Sequence, residues 1–207
     1  KWVAKTGNDT TGDGTKAAPY LTIFKGEETA SANGTVYVKT GLYEENHNAA
    51  TGYLAINQAI IIQPLGYTLI RAVSTGQVVV PLGAGATNMI LYNSIIGNAA
   101  SVSYTIYVIA AGALNVIKSW LKAAGGYLVM GSNATAINIT NAILSGGTNR
   151  VINVGTAPVV IDSSYINNGT VVTVIQSGVS NVNLTVKNSR SARIAASYAG
   201  NPNFQIL

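Results

Sequence analysis

Met89-Ile-Leu-Tyr-Asn-Ser-Ile-Ile96, Leu114-Asn-Val-Ile-Lys-Ser-Trp-Leu121, Ile137-Asn-Ile-Thr-Asn-Ala-Ile-Leu144, Val159-Val-Ile-Asp-Ser-Ser-Tyr-Ile166 and Val182-Asn-Leu-Thr-Val-Lys-Asn-Ser189 are five writings of one phrase. Their starts lie 25, 23, 22 and 23 residues apart, the period of a solenoid. The first and third positions of each copy are apolar, which is the alternation of a strand with one inward face. A small polar pair follows in the first four copies (Asn93-Ser94, Lys118-Ser119, Asn141-Ala142, Ser163-Ser164), and then two large residues that open the next side. The fifth copy breaks the pattern, with Asn188-Ser189 where large residues are expected, and reads as a fraying last coil.

Further β-rich runs separate the copies: Thr105 to Ile109, Tyr127 to Met130, Val151 to Val154 and Val171 to Ile175. One period therefore holds two or three short strands and their bends, too little chain for a crossover helix. The economical fold is an all-β parallel β-helix whose coils stack along an axis. Equivalent residues then lie about 4.8 Å above one another. This predicts an inner stack of Leu91, Val116, Ile139, Ile161 and Leu184, and an amide ladder of Asn115 and Asn138 that ends at Val160. Upstream, Leu54 to Ile56, Ala59 to Ile62, Tyr67 to Arg71 and Gln77 to Val80 read as strands of the first regular coils, and Pro81 to Thr87 as a bend. That bend lacks the Lys and the helix of a phosphate-binding loop.

Composition sets the bounds. The chain has 207 residues with no compositional break, so a single domain is expected: a cap over 1–34, coils over 35–190, and a C-terminal cap or inter-subunit segment over 191–207. Apolar residues make up 48% and charged residues 9%, a balance that suits a β protein with uncharged polar surfaces. There is no cysteine, which excludes disulfides and thiolate metal sites. No apolar run reaches the roughly 18 residues of a membrane helix, so no membrane insertion is expected. The net charge of +5 comes from scattered cations, with Arg190 and Arg193 the nearest thing to a cluster, and no nucleic-acid partner is expected. A start at Lys1 reads as a processed product or a segment of something longer.

The opening residues carry a separate signal. Trp2-Val3 is a short strand, Gly7-Asn8-Asp9 a polar loop, Gly14-Thr15 a turn, and Pro19-Tyr20-Leu21-Thr22-Ile23 a return to apolar sequence. Thr22 to Ala32 offers a short helix weakened by Gly26. Thr35 to Glu45 is a strand closing on Lys39-x-Gly41-x-Tyr43-x-Glu45. This order of motifs resembles the N-terminal entry of right-handed parallel β-helix proteins of the pectate-lyase-like superfamily, many of them phage tail proteins or secreted surface proteins. The resemblance covers about the first 45 residues by motif and the rest by periodicity. It implies a right-handed coil with an N-terminal cap and a location on a virion or outside a cell. Function is not implied, because that fold hosts lyases, hydrolases and inert fibres alike.

The acidic residues are Asp9, Asp13, Glu27, Glu28, Glu44, Glu45 and Asp162, so the chain beyond Glu45 carries one carboxylate. A glycosidase of the usual kind needs two carboxyl groups facing one bond, and a calcium-dependent lyase needs several carboxylate oxygens. Asp162, at the outward fourth position of its copy, reads as a solvated surface acid rather than one completed by a neighbouring subunit. Asp9 and Asp13 flank Gly12 without calcium-loop spacing, and turn capping by Asn8 and Asp9 explains them with less. His47 is the single histidine and reads as a loop residue, and Glu44 and Glu45 read as structural. Asn133-Ala-Thr135 and Asn168-Gly-Thr170 fit glycosylation acceptors at the level of chance in so Asn- and Thr-rich a chain. No catalytic, cofactor-binding or metal residue is assigned.

Aromatic residues recur at Tyr92, Tyr104, Tyr107, Trp120, Tyr127 and Tyr165, and aromatic faces stack on sugars and on protein partners. Trp120 and Tyr165 share a position with Ile95 and Ile143 and are expected in the core. The expected function is a non-catalytic structural or adhesive β-helix in a phage tail appendage, extracellular or on the virion surface. It would self-associate into a homo-oligomer or fibre and meet a surface polysaccharide or receptor. The alternatives are a secreted cell-surface filament or adhesin subunit, and a polysaccharide lyase or hydrolase with an inter-subunit site. The register makes a direct prediction: Leu144→Asp, a charge inside a stack, prevents folding, whereas Thr140→Asp on the outside is tolerated. Leu144→Ala should cost about 2–5 kcal/mol in denaturant unfolding.

Overall fold

A strand with one aliphatic face can bury that face against the rest of its own coil, but its backbone donors and acceptors must find partners in other coils. The computed structural model describes residues 1–45, 54–72, 77–85, 89–92, 95–97, 104–109, 111–123, 127–131, 134–146, 150–154, 157–167, 173–177, 184–191 and 204–206. In it the strands form three parallel sheets, the faces of a β-solenoid, and the chain visits face one, face two and face three in turn. Among the described residues face one has nine strands, face two seven and face three six. The middle coil shows the order: Gly112–Ile117 on face one, Trp120–Ala123 on face two, Tyr127–Gly131 on face three, then Ala134–Thr140 one coil further along face one.

The repeat governs the register. Leu114 lies between Met89 and Ile137, and Val116 between Leu91 and Ile139. Ile137 pairs with Val159 and Ile139 with Ile161. The inner members Leu114, Val116, Ile137, Ile139, Val159 and Ile161 are almost wholly buried. From face two Leu121, Leu144 and Ile166 join them, and from face three Ile106, Val129 and Ile152. The amide ladder forms as expected, Asn138 Nδ2 donating to Asn115 Oδ1 at 2.9 Å, and it ends where Val160 follows Asn138 in register.

Between faces one and two the chain turns through one residue in the left-handed region: Lys118 (φ 51°), Asn141 (52°), Ser163 (50°) and Asn188 (50°). Each corner is tied to the next coil. Lys118 N donates to Thr140 O at 3.0 Å, Asn141 N to Asp162 O at 3.0 Å and Ser163 N to Lys187 O at 3.1 Å. The second residue of the pair is small, and Ser119, Ala142 and Ser164 are buried there. Ser119, Ser164 and Ser189 turn their hydroxyls back to the carbonyls of Ile117, Asp162 and Lys187. Ser164 Oγ also accepts from Ala142 N, and Ser189 Oγ from Ser164 N, both at 3.1 Å, so the hydroxyls link successive coils.

Three expectations are corrected. The fifth copy starts at Leu184 rather than Val182: Val159 pairs with Leu184 and Ile161 with Val186. This puts Asn188-Ser189 at the corner with the same left-handed turn and hydroxyl bond as its predecessors, so the coil is a regular one. Phe204–Ile206 then adds a further strand outside it on face one. Pro81–Gly85 belongs to the strand Gln77–Gly85 rather than to a bend, with Pro81 opposite Ile56. Trp120 and Tyr165 lie on the outside of face two, because in a strand the neighbour of an inward Leu121 or Ile166 must point outward.

The left-handed corner yields a test. Asn tolerates this conformation and a β-branched residue does not. Asn141→Val should lower stability by about 1–2 kcal/mol in denaturant unfolding, whereas Asn141→Gly should leave it nearly unchanged.

Candidate functional site

The N-terminal end gathers most of the acids and is built around the six-residue helix α1, Ile23–Glu28. A helix leaves its first N–H groups without partners, and here side chains take them all. Asp9 Oδ1 accepts from Leu21 N at 2.7 Å and Thr22 N at 3.1 Å, and Asp9 Oδ2 from Thr22 Oγ1 at 2.7 Å. Glu45 Oε1 accepts from Ile23 N at 2.8 Å and Oε2 from Phe24 N at 3.1 Å. Thr22 Oγ1 caps the turn by accepting from Lys25 N at 3.1 Å. The other end is held by Gln58, whose Nε2 donates to Glu27 O at 2.6 Å and Ala30 O at 2.8 Å. Glu27 Oε1 in turn accepts from Asn57 N at 2.8 Å and Gln58 N at 3.2 Å. Gly26 admits this packing, since a Cβ there would meet Val3 Cγ2 at 2.7 Å and Val36 Cγ1 at 2.9 Å.

The remaining acids are also engaged. Asp13 Oδ1 accepts from Thr15 N at 2.8 Å, and Asn8 Oδ1 accepts from Thr10 N and Thr11 N, so this loop is a run of Asx turns. Glu28 pairs with Lys25 at 2.7 Å, and Glu44 Oε1 takes both Nε and Nη2 of Arg71. Asp162 lies 3.3 Å from Lys187 Nζ and accepts from Asn188 Nδ2 at 3.2 Å and Ser163 Oγ at 3.0 Å. The hydrogen bond from Asn188 leads in holding the Asp162 carboxyl below its ordinary value, the wrong direction for a general acid. Among the described residues no group of three or more His, Cys, Asp or Glu is placed to hold a metal ion. His47 lies outside the described residues.

Face two carries a feature that the sequence reading missed. One set of its positions forms a column in register across the coils: Leu42, Leu69, Ile95, Trp120, Ile143 and Tyr165, with Arg190 at the end. Leu42 is 38% exposed, Trp120 37%, Ile143 42% and Tyr165 45%. Two large residues in succession at each coil start were the available signal, because one of them has to face out. Trp120 Nε1 donates to Ser145 Oγ at 2.6 Å, and Lys122 Nζ lies 5.8 Å from the Trp120 ring centroid. Of the other tyrosines, Tyr107 is half-buried, and the side chains of Tyr92, Tyr104 and Tyr127 lie outside the described residues. Neither a family model, nor a curated protein, nor a solved structure matches this chain significantly.

The cap carries a pH signature. Burial drives the Glu45 carboxyl from an ordinary 4.5 up to about 7 against the pull of the Ile23 and Phe24 amides, and burial raises Glu27 as well. Above its unfolded value a raised carboxyl binds its proton more tightly in the folded chain, so its contribution is greatest in acid and is lost as pH climbs from about 4.5 to about 7. Thermal unfolding followed by circular dichroism should show Tm falling across that interval, and Glu45→Gln, a mimic of the protonated acid, should flatten the fall.

Proposed function

We propose that this protein is a non-catalytic structural or adhesive β-helix, a stiff rod that presents an outward face to a neighbour or to a host surface. The observation that carries the reading is the employment of the acids. All seven carboxylates of the chain are spoken for: three hold α1 in place, one closes an Asx turn, and three sit in surface ion pairs. No two of them are left to flank a scissile bond as a glycosidase requires. The neighbouring exposed side chains Trp120, Ile143 and Tyr165 on face two support the second half of the reading, since contiguous apolar surface marks contact sites.

The setting we propose is a phage tail appendage, with the N-terminal motifs Trp2-Val3, Gly7-Asn8-Asp9 and Lys39 to Glu45 as the basis for a pectate-lyase-like, right-handed coil. A secreted cell-surface filament has the same physics and differs only in where the rod is anchored. Incubation with host capsular and cell-wall polysaccharides should release no new reducing or unsaturated sugar ends, and the native particle, seen by microscopy, should be a virion or fibre bearing this rod. Cleavage of any of those polymers refutes the non-catalytic reading.

A further inference from the structure

The fastening that closes the N-terminal end buries two acids with little to balance their charge. Glu27 lies wholly buried on α1; its Oε1 accepts from Asn57 N and Gln58 N, and its Oε2 has no hydrogen-bond partner among the described residues. Glu45 is buried almost as completely and holds the amides of Ile23 and Phe24, next to those that Asp9 takes. Facing Glu45 are Asp9, which repels a charge there, Lys5, which favours one, and the buried Tyr43 phenol. Facing Glu27 is Glu28, itself paired with Lys25, while the strand Leu54–Gln58 offers the neutral Asn57 and Gln58. A neutral carboxyl can be buried with one oxygen unmatched at modest cost, but an ionised one without a cation is expensive.

We infer that α1 is a latch worked by protons: it lies shut while Glu27 and Glu45 are neutral and lifts from the end of the rod as they ionise, with the stacked coils left folded. Its movement frees the N–H groups of Asn57 and Gln58 on Leu54–Gln58, the outermost described strand of face three. It also uncovers Val3 and Val36, against which Gly26 is packed. A bared strand edge is a template for pairing with another chain.

The opening is local because the titration is local. Six residues cannot hold a helix by themselves, so α1 stays only while its fastenings do. Among the described residues, the buried polar groups from Leu54 onward are Thr68, Thr105, Ser119 and Ser164, none of which ionises. The direction agrees with burial, which carries the Glu45 carboxyl up to about 7 and raises Glu27 as well. A raised carboxyl holds the latch fully below its ordinary value, and that hold is lost as pH climbs from about 4.5 to about 7.

Amide exchange of the whole chain, followed by NMR from about pH 5 to about pH 8 and divided by the exchange of the unfolded chain at each pH, tests the latch. Gly26 N and Thr29 N, bonded in α1 to Thr22 O and Lys25 O, should lose protection by about tenfold or more. Lys118 N and Ile143 N, bonded between coils, should keep theirs. Glu27→Gln retains the Oε1 acceptor and gives up no bond at Oε2, and Glu45→Gln is likewise uncharged; with both substitutions the fall should vanish. Lys5→Met removes the cation facing Glu45 and should deepen the fall. Flat protection of α1 in the unsubstituted chain overturns the inference, and so does a parallel loss in the coils, which would be global unfolding. An undiminished fall in the double variant also overturns it, by placing the titration on another group such as His47. Should the double variant fail to fold, the profiles of the unsubstituted chain and of Lys5→Met decide, and a Lys5→Met profile no deeper than the original counts against the latch.

Discussion

The constraint on which the rest depends is that each coil's backbone is satisfied by the coils on either side of it. Among the described strands, parallel pairing runs in sequence order along all three faces. Interior stacks, serine links and left-handed corners all follow from one coil being laid on the next at a fixed spacing. A ribbon of this kind has two exposed ends, each a row of unpaired donors and acceptors. At the N-terminal end Trp2–Val3 pairs with Tyr37 and Val38, Tyr20 bridges to Val3, and α1 lies across the opening. Phe204–Ile206 does the corresponding work on face one at the other end.

Closing the first end consumes chemistry that a reader of the sequence could mistake for a site. A six-residue helix cannot stand by itself in water. It is held because Asp9 and Glu45 take its first amides and Glu27 and Gln58 bind it to the coil below. Burying Glu45 and Glu27 raises both carboxyls, and one Glu27 oxygen, Oε2, has no partner among the described residues. The clustering of acids is thus a fastening. Face two, by contrast, carries the exposed apolar side chains Leu42, Trp120, Ile143 and Tyr165.

Much of this was legible because the repeat is physical. A phrase that returns every 22 to 25 residues with two alternating apolar positions has one economical solution, and the first four copies stack in the register their spelling implies. The fifth was misread by two residues, because Val182, Leu184 and Val186 all alternate correctly and spelling alone cannot choose among them. What chooses is the corner: Asn188 adopts the left-handed turn and the Ser189 hydroxyl bonds back to Lys187 O as those of Ser119 and Ser164 do to their own carbonyls. The placing of Trp120 and Tyr165 in the core failed for a related reason. Large residues were counted as interior, although a strand sends neighbours to opposite sides.

By itself the sequence determined the all-β class, the coil length, the interior stacks and the shortage of free carboxylates, since each of these depends on local alternation, period or count. Only the tertiary structure decided which of two adjacent large residues faces out, where the last coil begins, and that Asp9 and Glu45 converge on one helix from two parts of the chain while Glu27 of that helix reaches to the coil below. Those outcomes depend on which coil lies above which, and a one-residue or two-residue shift that is nearly neutral in local preference is resolved only when every backbone group must find its partner in the neighbouring coil.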